Sequence, residues 1–295
     1  MLLQPFLHIF RYALQPVAPF TWFGLGVTSL DVVAALRLCV ALRQVKDHLR
    51  LELALRRAKG EKVDEPEDRS FARDAMTTLT VVYGGEALAA PYLGVPPSFM
   101  VSGVTPALYA AIQALVEHIP TVPSMSIHTE LPLSIVDGFS RAWLLCDLIP
   151  PAVTQSASPA IAHSPWTLLL TSLVLANGGF FIANLVSFLH PTPLRLTTPT
   201  ELGPYGWTAT DLWCAPLITG LYALLTHAQP FWADAHAVIA GMLGASGKGL
   251  QAEALDAESV RAVCALVLAG MFLTRTAKNF GCQWKSSVGE KIKIQ

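Results

Sequence analysis

The chain has 295 residues, of which 53% are hydrophobic and 14% charged, with a net charge of −1 and a mean hydropathy of +0.47. Soluble domains carry roughly 25% charged residues, so this composition excludes an ordinary soluble globular protein and reads as a polytopic membrane protein. A net charge this close to zero gives no electrostatic footprint for nucleic acid.

Residues 1–20 begin MLLQPFLHIFRYALQP. They lack a basic leader and a small-residue cleavage site, so they read as a non-cytoplasmic or interfacial segment rather than a signal peptide. A span needs about 20 mostly apolar residues. Seven such stretches follow, near 21–42, 74–93, 98–118, 132–153, 165–189, 208–228 and 259–278. The expected fold is therefore an all-α polytopic membrane protein with seven transmembrane helices. Residues 231–245 (FWADAHAVIAGMLGA), within the loop 229–258, are too short and polar to span and read as an interfacial or re-entrant piece.

Charge placement orients these spans. Residues 43–73 carry nine of the twenty Lys/Arg, and the chain from Arg275 onward carries five more. The loops near 94–97, 154–164 and 229–258 contain only Lys248. Positive charge marks the cytoplasmic side, which puts loop 43–73 and the tail 279–295 in the cytoplasm and the N-terminus in the lumen. Loop 43–73 also holds the acidic run EKVDEPED. It reads as a charged helical hairpin or linker, not a lipid-binding polybasic tract. The last residues, KIKIQ, place Lys291 and Lys293 as in the KxKxx retrieval signal of endoplasmic reticulum membrane proteins, an address read by coat proteins in the cytoplasm.

Two triplets of spans repeat one outline. The first (21–118) holds Asp31 and Arg37 in span 1, Gly84-Gly85 in span 2 and Pro106 early in span 3. The second (132–228) holds Asp137 and Arg141 in span 4, Gly178-Gly179 in span 5 and Pro216 early in span 6. Three is odd, so the second triplet lies inverted, as in many transport proteins. Gly84, Gly85, Gly178 and Gly179, with Pro91, are expected to break their helices and free backbone groups that must face protein or a water-filled cavity. Either glycine pair alone reads first as close helix packing, and the two at matching repeat positions read as a pore or cavity.

Ionisable groups inside spans are functional candidates. Asp137 and Arg141 stand four apart on one face and are expected to pair, as a gate element or a clasp between repeats. Asp31, a candidate symmetry mate of Asp137, joins Arg37 and Asp147 as intramembrane charges. Arg37 and Arg43 also read as snorkelling toward the cytoplasm, and Asp211 and Glu86 as solvated near an interface. Tyr83, Asn177 and Asn184 read as pore-lining groups or as interhelical hydrogen bonders.

The run YGGEALAAPYLGVPP resembles the second-helix signature of the TRIC family, the trimeric intracellular cation channels, whose prokaryotic members carry a GGG-x-x-RD-x-L-x-G-x-P-like run. The resemblance extends over roughly residues 20–280. It implies two inverted triplets plus a seventh helix (3+3+1), a homotrimer, and permeation of monovalent, potassium-like cations through each protomer. It further implies counter-ion flux during calcium release from the reticulum. The chain departs from the family at its charged positions. Asp137 stands where animal members carry the lysine of a Lys-x3-Arg pair, with Arg141 retaining the arginine. Asn177 replaces a lysine ahead of Gly178, and Ala89 and Ala90 fall where the aspartate of RD belongs. These losses argue against the family's phosphoinositide site. No cofactor is expected, and membrane lipid and the permeating cation are the expected partners.

An inverted-repeat transporter of a small ion or solute is an alternative, as is a non-conducting scaffold or trafficking protein of the reticulum. No enzyme is expected. The eight histidines show no metal-ligand spacing, the five cysteines stand singly, and GMLGASGKG departs from phosphate-loop spacing at Met242 and Gly249.

Overall fold

Helix boundaries follow local chemistry. The structure, a computed structural model, describes residues 3–17, 26–204, 206–243 and 253–293, the segment 281–293 by backbone alone. After a short helix α1 (Gln4–Ala13), α2 (Ser29–Ala58) opens on a capping box. The Thr28 hydroxyl accepts from the Asp31 amide at 3.2 Å, and the Asp31 carboxylate accepts from the Thr28 amide at 2.9 Å. Next, α3 (Phe71–Leu93) ends at Gly94, whose φ of 70° lets its N–H reach the Ala90 carbonyl at 3.0 Å. α4 (Val104–His118) completes the first triplet.

α5 (Ile127–Trp143) opens on a second capping box, Ser126 with Thr129, and runs on through a π-helical turn (Leu144–Leu148) into Ile149–Thr154. Pro150 has no N–H to return to Leu145 in that register. The Thr219 hydroxyl supplies the missing donor to the Leu145 carbonyl at 3.1 Å. α6 (Pro165–Leu185) is capped by Ser164, which accepts from the Thr167 amide at 3.1 Å. α7 (Thr210–Thr226), α8 (Pro230–Met242) and α9 (Ala257–Lys293) follow. Among the described residues there is no strand.

Among the described residues three helical stretches are long and apolar enough to cross a membrane, namely Pro165–Leu185, Gly206–Thr226 and Ala257–Phe280. This suits a membrane protein. The other expected spans are helical but fall short for physical reasons. α4 has 15 residues, against about 20 for a span. α5 carries Glu130, Asp137 and Arg141, α3 carries Glu86 and three threonines, and much of α2 is charged. The expected span 21–42 begins partly outside the described residues, and its helix starts at Ser29. α8 has 13 residues, none of them buried.

The core lies where α5, α6, α7 and α9 meet. Leu145, Ile149, Leu168, Ile218, Leu268 and Phe272 are buried there, joined by Phe10 of α1. α2 and α4 pack through Ala35, Cys39, Ile112 and Val116. Two ends of the bundle are defined by cross-links. At the upper end Gln229 donates to the Ala162 carbonyl at 2.7 Å, and Arg11 pairs with Glu258 at 2.7 Å. At the lower end Lys46 pairs with Asp74 at 2.7 Å, and Arg275 pairs with Asp211.

Candidate functional site

The two glycine pairs meet each other. α3 and α6 cross antiparallel, and a Cβ placed on Gly84 would lie 2.9 Å from Gly179 Cα, while one on Gly178 would lie 2.9 Å from Gly85 Cα. The contact is reciprocal, and Tyr92 continues it by donating to Thr171 Oγ1 at 3.0 Å. The expected breaks are absent. Both helices run unbroken through their glycines, and Pro91 lies in the last turn of α3 without interrupting it. Glycine here permits backbone contact, because a side chain at Gly179 would enter the Val81 carbonyl. The glycines free no backbone group for a pore, and Pro91, lacking an N–H, leaves only the Ala87 carbonyl without its in-helix donor.

Two cavities flank the crossing. The upper one, of about 580 Å³, is lined by Asp31, Tyr83, Glu86, Thr105, Tyr109 and Trp143 among others. The lower one, of about 200 Å³, is lined by Arg37, Asp137, Asp211, Phe272 and Arg275. Four residues border both: Ala34, Ser140, Arg141 and Phe180. They line the place where the two spaces adjoin, called the partition below. Each cavity exceeds the roughly 30 Å³ that a water molecule occupies, so each has room for a hydrated ion or small solute.

Ion pairs set the charge of the lower cavity. Arg37 on α2 reaches two carboxylates of α5, Glu130 at 2.8 Å and Asp137 at 3.1 Å. Asp137 therefore pairs across helices with Arg37 rather than with Arg141, and Arg37 does not snorkel. Arg141 instead approaches Asp211 at 3.8 Å and donates to Cys214 Sγ at 3.7 Å. Asp211 is shared with Arg275, and the two guanidiniums stand 5.4 and 4.8 Å from the Phe272 ring centre. The wall thus presents three arginines and two aspartates, with Glu130 neutralising Arg37 from behind.

The remaining candidates divide. Tyr83 lines the upper cavity and packs against Phe99 with the rings tilted at 56° and their centres 5.1 Å apart. Asp31 lines it too, but from the first turn of α2, where its carboxylate completes the capping box with Thr28, and not as a mid-helix mate of Asp137. Asp147 is tied to Arg261 of α9 at 2.8 Å and borders neither cavity. Asn177 donates to the Leu173 carbonyl of its own helix at 3.0 Å. Neither it nor Asn184 lines either space. Arg43 is buried and donates to the Val116 and Pro120 carbonyls at the end of α4. The side chains of Lys291 and Lys293, and residues 244–249 of the GMLGASGKG stretch, lie outside what the structure describes. Sequence reasoning missed Phe180, Arg275, Glu130 and Arg261. Only Glu130 carried a usable signal, being seven residues before Asp137 and so on its helical face.

Among the described residues no group of three or more potential metal ligands comes together. No protein-family model matches the chain, and searches of curated proteins and of solved structures give no match.

Proposed function

We propose that the chain is an intracellular cation channel of TRIC type, with seven spans in a 3+3+1 order, conducting potassium-like ions through each protomer. In this reading the protein assembles as a homotrimer in the endoplasmic reticulum, its N-terminus lumenal and its C-terminus cytoplasmic. It supplies counter-ion flux when calcium is released. The observation that carries the reading is the pair of cavities approaching one partition from opposite ends, beside a reciprocal α3–α6 crossing. Asp31 and Glu86 give the upper cavity the acidic character that attracts cations, and Arg141 at the partition opposes their passage.

Reconstitution of the purified protein into planar bilayers under a potassium gradient tests the proposal. Single-channel currents are expected, and Arg141→Gln should increase them severalfold, since one fewer positive charge lowers a cation's barrier by on the order of 1 kcal/mol. A silent bilayer at all voltages and calcium levels rules the channel out.

A second reading is favoured by the partition itself. Two cavities that adjoin at one set of side chains also suit an alternating-access carrier. Saturating flux with counter-transport, in place of single-channel currents, would select that reading.

A further inference from the structure

The fold sorts the charges of the 43–73 tract, which alternate in the sequence, into a basic recess at the lower end. Arg43, Lys46 and Arg50 of α2, with Arg69 and Arg73 from the start of α3, line a small open recess of about 20 Å³. His190, after α6, closes one side. Five cations face three carboxylates here, Asp47, Asp74 and Glu117. Each carboxylate is engaged. Asp74 holds Lys46 at 2.7 Å, Asp47 holds Arg69 at 2.7 Å, and Glu117 accepts from Gln113 at 2.8 Å. Arg73 turns to Glu67, outside the recess, at 3.0 Å.

Arg50 is the surplus cation. Its hydrogen bond runs to the Glu67 carbonyl at 3.4 Å, and among the described residues no carboxylate pairs with it. Burial first, and then the neighbouring guanidiniums of Arg69 and Arg73, lower its pKa, so positive charge is crowded at this point. Arg43, only 6% exposed, has an Nε without a hydrogen bond, Asp47 standing 3.7 Å away. Unused donors on a crowded cationic wall call for an anion with several acceptor oxygens.

Depth narrows the class. At 1.5 Å per residue Arg50 lies about 32 Å along α2 from Ser29, close to the roughly 30 Å thickness of a hydrocarbon core. If α2 crosses the membrane, the recess stands at headgroup level. Its volume admits about one water-sized group, which suits the terminal oxygens of a phosphate whose remainder stays in the opening.

We propose that this recess binds a phosphate monoester, with Arg50 and Arg69 as its principal donors and Arg43 beneath. The recess shares no lining residue with either cavity, so the site is separate from the proposed path of permeation. The phosphate comes from a lipid headgroup or from a soluble anion, and two arms of one experiment separate these sources. In the first, thermal stability of the full chain in detergent is followed against inorganic phosphate, with chloride at matched ionic strength as the reference. In the second, native mass spectrometry compares retention of phosphatidic acid with that of phosphatidylcholine. The wild type is expected to respond to phosphate, to retain phosphatidic acid, or both. Arg50→Gln with Arg69→Gln should weaken the response about tenfold, whereas Arg195→Gln, an exposed cation paired with Asp64 outside the recess, should leave it unchanged. Arg50→Lys, which keeps the charge, should retain most of it and shows that the loss is not misfolding. Response in the lipid arm alone assigns a headgroup, and response in the soluble arm alone assigns a free phosphate. The proposal is overturned if the wild type treats phosphate like chloride and shows no preference for phosphatidic acid, or if the double variant binds as the wild type does.

Discussion

Arg37 ties the two halves of the chain together by charge. A cation on α2 held by Glu130 and Asp137 of α5 joins residues about a hundred positions apart. The three side chains are largely out of water, with exposures of 14% for Arg37, 10% for Glu130 and 23% for Asp137. Removing one member of such a group strands the others, which costs about 3–5 kcal/mol, whereas neutralising the whole group costs far less. Arg37→Met alone should therefore lower thermal stability sharply. Adding Glu130→Gln and Asp137→Asn to it should restore much of the loss, because the stranded charges are gone. A thermal unfolding series in detergent reads both effects. Equal destabilisation by the single and triple variants would mean that the contact works through shape and not through charge.

At the α3–α6 crossing the two helices meet backbone against backbone. A methyl group on Gly179 would occupy the space of the Val81 carbonyl, and one on Gly85 would lie 2.5 Å from the Leu175 carbonyl. The obstacles are backbone atoms, which cannot rotate aside. Gly179→Ala should push the helices apart and cost about 1–3 kcal/mol, seen as an earlier melting transition. Gly270→Ala, with nothing within 4 Å of its Cβ, is the control that gains helix propensity without a clash. This crossing also measures what the sequence can reveal. The matching glycine pairs are visible as a repeat, and their meeting follows from it. Composition cannot say whether a glycine pair breaks a helix or lets two helices touch, since both uses need a missing Cβ. The ion pairs were hidden for a different reason. Asp137 and Arg141 satisfy the local i,i+4 rule, yet Arg37 and Asp211 offer those charges partners from other helices, and tertiary contact overrides local spacing. Arg261 gave no local sign at all, because Asp147 lies 114 positions away in the chain.

Over the whole molecule, exposed aromatic and apolar residues show how the bundle would lie in lipid. Trp166 stands exposed at the upper start of α6, and Trp207 and Trp213 are exposed at the lower start of α7. Exposed Leu170, Leu217, Leu266 and Val267 lie on the three apolar helices between those levels. Tryptophan at both ends of an apolar band is the pattern of a protein with two water interfaces. If the upper cavity opens to one compartment and the lower cavity to the other, the two must differ in sidedness. Thr105→Cys lines the upper cavity and Ala41→Cys the lower one. Cys39, Cys146, Cys214 and Cys264 are buried, so background labelling is limited to Cys282, which a serine removes. In sealed vesicles that hold the protein in one orientation, a membrane-impermeant maleimide added outside should label only one of Ala41→Cys and Thr105→Cys, and should reach the other only after the vesicles are opened. Labelling of both positions from one side would place the two cavities in a single compartment, and neither a channel nor a carrier could then use them as opposite approaches to the Arg141 partition.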